Sequence, residues 1–79
     1  MIKLRLLKLT DEYVQYKFFP EGDMNDFGIV QVSLKNCLER FIVKKAKNSL
    51  SMYELHAMAH VSNFVKNDNF PETSAREWY

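Results

Sequence analysis

Apolar and polar residues alternate with period two through most of the first half of the chain, the period of extended strands. Ile2, Leu4 and Leu6 alternate with Lys3 and Arg5, which predicts a strand with one apolar face. The phase slips at Leu6-Leu7, after which Leu7 and Leu9 flank Lys8, and a β-bulge there would absorb the slip. Thr10-Asp11-Glu12 is polar and short enough for a hairpin connection. Tyr13 to Phe19 is rich in aromatic and β-branched residues, with Val14, Tyr16 and Phe18 on one face and Tyr13, Gln15, Lys17 and Phe19 on the other. Pro20-Glu21-Gly22-Asp23 ends that strand, because Pro lacks an N–H and Gly accepts positive φ. Val30, Val32 and Leu34 alternate with Gln31, Ser33 and Lys35 in a third strand, Lys35-Asn36 suits a turn, and Leu38 to Lys44 forms a fourth. Connections this short imply an antiparallel meander.

At Lys47-Asn48-Ser49 the period becomes helical. Ser51-Met52-Tyr53-Glu54 matches a capping box, with Leu50 and Leu55 at the flanking staple positions. Leu50, Tyr53, Ala57, Val61 and Phe64 fall within one arc at 100° per residue, a face suited to covering a sheet. Asn67-Asp68-Asn69 ends the helix through an αL residue, for which Asn is suited, and Phe70-Pro71 prevents its continuation. Glu72 to Tyr79 is expected to dock as a short tail, with Trp78 and Tyr79 against the body. The predicted architecture is α+β: a four-stranded antiparallel meander with one C-terminal helix on one face, ββββα, in a single domain over residues 1–79. One helix covers only one side of such a sheet.

Composition narrows the classes. With 79 residues, 47% of them apolar, the chain holds one small core and is too rich in aromatics for a disordered segment. Eleven Lys and Arg against ten Asp and Glu give a net charge of +1, which argues against a surface devoted wholly to nucleic acid or acidic lipid. The charge is uneven: residues 1–47 carry nine basic and six acidic side chains, residues 48–79 two and four. No apolar run approaches the roughly 18 residues of a membrane span, and no uninterrupted secretory h-region is present. A lone Cys37 makes no internal disulfide, so a cytoplasmic setting is expected.

Tyr16-Lys17-Phe18-Phe19-Pro20-Glu21-Gly22, Phe27-Gly28-Ile29-Val30, His56-Ala57, and Phe70-Pro71-Glu72 before Trp78-Tyr79 together resemble a set of short bacterial proteins, mainly from Firmicutes. These share an aromatic-Pro-Glu-Gly turn, a Gly before the third strand, a helical His-Ala and a C-terminal Trp. The resemblance spans nearly the whole chain, implies a small single domain and supplies no catalytic residue. His60 and Lys44-Lys45 stand outside its pattern.

Candidate chemistry is sparse. His56 and His60, spaced i and i+4, lie on one side of the helix at a separation that suits a shared metal ion, but a stable site needs further ligands. Cys37 with either histidine is the one thiol–imidazole pair available, and no carboxylate is obviously placed to orient it. Neither catalysis nor a bound cofactor is therefore expected. The expected role is a protein-interaction module, self-association included, acting through the uncovered aromatic side of the sheet with Tyr13, Lys17, Phe19, Ile29 and Trp78. The alternative is a single-stranded nucleic-acid-binding domain that uses Lys17, Lys44 and Lys45 with the same aromatics. A weak bis-histidine metal site at His56 and His60 is the remaining reading. No membrane partner is expected.

Overall fold

The computed structural model describes residues 2–21, 25–36, 38–47 and 51–76. The predicted alternation becomes burial. In β1 (Ile2–Leu9), Ile2 and Leu4 are buried while Lys3 and Arg5 are exposed. In β2 (Tyr13–Pro20) and β3 (Gly28–Ser33), Val14, Tyr16, Phe18, Val30 and Val32 have no exposed surface. β4 (Arg40–Lys44) completes the meander, and α1 (Ser51–Lys66) lies on the face made by these apolar residues. The pairings β1–β2, β2–β3 and β3–β4 are all antiparallel, so the predicted ββββα core and its α+β class are found as expected.

The tail is more than a docked segment. Thr73–Arg76 forms β5, antiparallel to β1 with Ile2 opposite Arg76 and Arg5 opposite Thr73, giving the sheet order β4-β3-β2-β1-β5. The N–H of Leu6 donates to the carbonyl of Glu72 at 2.7 Å, continuing the ladder. Thr-Ser-Ala-Arg carries no apolar alternation, and its pairing is a backbone event. Trp78 and Tyr79, with Cys37 and Leu50, lie outside the described residues, as does the Ser51 side chain of the predicted capping box.

Boundaries follow local hydrogen bonding. The β1–β2 register steps from Leu6–Tyr16 to Lys8–Gln15, leaving Leu7 as the bulge residue that the phase slip predicted. The Thr10 hydroxyl accepts from the N–H groups of Glu12 and Tyr13, closing the first hairpin. β4 begins at Arg40 rather than Leu38, because the N–H of Leu38 turns to the Asn36 side-chain carbonyl and that of Glu39 to the Asn36 backbone carbonyl. Glu21 and Asp68 adopt positive φ, 53° and 49°. At the end of α1 the N–H of Asn69 donates to Phe64 O and that of Asp68 to Val65 O, a Schellman closure with Asp68, not Asn, in the left-handed position.

Ala57, Val61 and Phe64 bring the arc predicted for α1 onto the sheet, and Phe64 tilts against Tyr16 with ring centroids 5.3 Å apart. The Tyr16 hydroxyl donates to the Pro71 carbonyl at 2.7 Å, fastening the segment that leads into β5. Arg40, on the helix side of β4, donates to the Ser62 hydroxyl at 2.9 Å. Among the described residues no helix is long and apolar enough to cross a membrane.

Candidate functional site

The period that buries one side of the sheet sends the alternate residues to the other. Antiparallel register sorts them into rows running across the strands. Thr73, Arg5, Lys17, Ile29 and Lys44 occupy one level. Lys8, Gln15, Gln31 and Phe41 occupy the next, and Tyr13 and Ser33 the one beyond. Lys3, Phe19 and Ala75 lie on the opposite flank of the first row.

The charge of these strands is one-sided. The five strands contain Lys3, Arg5, Lys8, Lys17, Arg40, Lys44 and Arg76, and not one Asp or Glu. Among the described residues every carboxylate belongs to a loop or to α1, so the net charge of +1 conceals strands whose charged side chains are all basic. Lys3, Arg5, Lys8, Lys17 and Lys44 point away from the helix, while Arg40 points toward it. Arg5 and Lys17 are direct cross-strand neighbours, an unfavourable like-charge pair. Among the described residues no carboxylate pairs with Lys3, Arg5 or Lys17.

Aromatic rings hold these cations in place. Phe27 lies beneath the ammonium groups of Lys17 and Lys44, at 4.7 and 3.8 Å from its centroid, and the Lys44 ammonium also donates to the Phe27 carbonyl at 3.0 Å. The Lys8 ammonium stands 5.7 Å from the half-buried Tyr13 ring. In the second row the Gln15 amide donates to the Gln31 side-chain oxygen at 2.9 Å.

Two of the sequence expectations change here. Phe19, expected as an exposed aromatic, is only 4% exposed, with the Phe27 ring 6.1 Å away on the same side. It serves as floor rather than contact. Ile29 is likewise half-buried. Phe41, by contrast, is 53% exposed on the open face opposite Gln31, and no sequence signal marked it, because the bulge at Val43 breaks the alternation of the fourth strand. Lys45 is exposed just past β4, and Trp78 is outside the described residues.

The open side carries two grooves. One of about 480 Å³ is lined by Lys3, Arg5, Phe19, Thr73 and Ala75. The other, about 510 Å³, is lined by Tyr13, Gln31, Ser33 and Phe41 together with Glu12 and Glu39. On the helix, the His56 and His60 rings stack at 6.3 Å, as their spacing predicts. Among the described residues no three His, Cys, Asp or Glu side chains gather in a metal-binding arrangement.

Two tyrosines are perturbed. Burial pushes the Tyr16 hydroxyl up to about 12. The Tyr53 hydroxyl donates to the Glu21 carboxylate, which holds that carboxyl below its ordinary range and raises Tyr53 in return. This contact ties the first turn of α1 to the turn after β2. No family model, curated protein or solved structure matches this chain.

Proposed function

We propose that this chain is a non-catalytic binding module that holds an anionic partner against the open face of its sheet. The single observation that carries the reading is the set of five cations, from Lys3 to Lys44, on a sheet whose strands contain no carboxylate. Like charges set side by side, as at Arg5 and Lys17, cost roughly 0.2–1 kcal/mol per pair. A partner that brings negative charge removes that cost and is drawn in by the local field. The polar groups of the face are ammonium, guanidinium and amide with the hydroxyls of Thr73, Ser33 and Tyr13, all of which suit binding. Burial of Phe19 takes away the ring on which a purely apolar contact would centre. Two copies set face to face would oppose five cations with five, so a second copy of this chain is not the partner this face favours. A cytoplasmic setting agrees with a sequence that has Cys37 as its one cysteine.

The test is an amide-resolved NMR titration at low salt with two simple polyanions, polyphosphate and poly-L-glutamate. Shifts are expected in β1 to β4 and not on the outer side of α1, weakening as salt rises. Reversal of Arg5 and Lys17 to Glu should abolish them while the far-ultraviolet spectrum is kept. If neither polymer moves a strand amide, the reading is wrong.

A further inference from the structure

We infer that the anion this face takes is a single-stranded nucleic acid laid across the strands, its phosphates on the Arg5–Lys17–Lys44 row and its bases on the adjoining row. The inference rests on the anion-binding reading and goes further by naming the partner. Direction is the first argument. Arg5, Lys17 and Lys44 share one register level across β1, β2 and β4, so a line of charge runs perpendicular to the strands; it crosses a second line, Lys3, Arg5 and Lys8 along β1, a strand whose outer edge is already paired with β5. With strands about 4.8 Å apart the perpendicular line covers about 14 Å. A peptide added to a sheet edge would instead read alternate residues along one strand.

The second argument is what lies beside the charges. One level along, about 7 Å away, come Gln15 and Gln31, two residues on in β2 and β3, and Phe41, three residues from Lys44 because Val43 is bulged out of the register. The bond from Gln15 to Gln31 uses one amide hydrogen. Among the described residues the remaining Gln31 N–H groups and the Gln15 carbonyl oxygen have no other partner, so the pair offers donors and an acceptor on the open face. Phe41 at the end of that row and Tyr13 beyond it line the 510 Å³ groove and supply ring surface for stacking. Charge next to amide next to ring is the order in which a nucleotide presents phosphate and base. An acidic peptide would use the first row and Lys8 and leave Gln15, Gln31 and Phe41 idle.

A single strand suits this face better than a duplex. Glu12 and Glu39 line the same groove, at the end remote from the cationic row, together with Arg40, whose guanidinium is turned to the Ser62 hydroxyl on the helix side. They repel phosphate, so the backbone is confined to the Lys and Arg side. A duplex carries phosphates on both flanks of its bases, and its second backbone would face those carboxylates.

The experiment is fluorescence polarisation of the whole chain with a labelled mixed-sequence ten-nucleotide single strand, the corresponding duplex, and labelled poly-L-glutamate. The single strand is expected to bind at least tenfold more tightly than the duplex. Lys17→Gln should weaken it for every sequence and lower the slope of log affinity against log salt by about 0.7. Phe41→Ala and Gln31→Ala should weaken the oligonucleotide at least fivefold and leave poly-L-glutamate unchanged. Both positions are on the open face, and a retained thermal transition shows that the fold persists. Equal affinity for the duplex, or indifference of the oligonucleotide to both variants, overturns the inference. Binding of poly-L-glutamate alone overturns it while the anion-binding reading stands. Binding of neither polymer ends both.

Discussion

Gly28 stands directly opposite Phe18 in the β2–β3 ladder, and the Phe18 ring fills the space that a side chain at position 28 would need. A Cβ there would run into the ring and would also sit 2.7 Å from the Lys44 carbonyl oxygen. Phe18 is fully buried, so the ring cannot swing aside, and the carbonyl belongs to the neighbouring strand. Gly28→Ala is expected to destabilise the fold by about 1–3 kcal/mol, the usual cost of overpacking. A lower urea midpoint with an unchanged slope checks this; an unchanged midpoint would show that the ring has room.

The Tyr16 hydroxyl bridges the core to Pro71 and should set the alkaline limit of the fold. Its folded-state pKa of about 12 lies above the ordinary value of 10. The contribution is therefore complete below pH 10 and is lost as pH rises through 10 toward 12, because the unfolded chain releases the proton first. Tyr16→Phe should cost about 1 kcal/mol at pH 7 from the lost hydrogen bond. Urea midpoints between pH 8 and 11.5 should show the gap between wild type and variant closing; a constant gap would refute the assignment.

At the acid end the contact between Tyr53 and Glu21 makes the opposite prediction. The Glu21 carboxyl is held below its ordinary range, first of all by the Tyr53 hydroxyl. Its contribution is present above the unfolded carboxyl pKa and fades as pH falls through the lower folded value. Because the pair is on the surface the effect is small. The melting temperatures of wild type and Tyr53→Phe should differ slightly at pH 7 and converge as pH falls through the acid range, which differential scanning fluorimetry can follow.

Truncation after Glu72 removes β5 and leaves the outer backbone edge of β1 without its ladder partner. A bare edge recruits other strands. The truncated chain should unfold at lower urea and sediment as concentration-dependent oligomers. A monomer of undiminished stability would mean that β5 adds nothing to β1.

The meander, the bulge at Leu7 and the buried arc of α1 were legible because each is a local periodic feature, decided within a few residues. β5 was not, since Thr73 to Arg76 has no pattern of its own and takes its conformation from β1. Phe19 was misjudged as exposed for a related reason. What lies over it includes Phe27, from the loop before β3, and periodicity within a strand carries no information about a loop that folds back. The five-cation face was half legible: alternation put Lys3, Arg5 and Lys17 on the polar side of their strands, whereas Lys8 and Lys44 reach it only through the bulges at Leu7 and Val43. Only the register between strands reveals that Arg5, Lys17 and Lys44 fall in one row. The i,i+4 stacking of His56 and His60 was readable for the same reason as the helix itself, whereas any additional ligand depended on distant chain.

The ladder between Ile2 and Arg76 joins residues from opposite ends of the described chain. On the ribosome the first strand therefore emerges long before its outer neighbour is synthesised. For most of translation one side of it has to wait, solvated or shielded by chaperone. Closure over so many residues makes this pairing a late event, so a stalled or prematurely released nascent chain would display an unpaired amide edge that the finished protein keeps occupied.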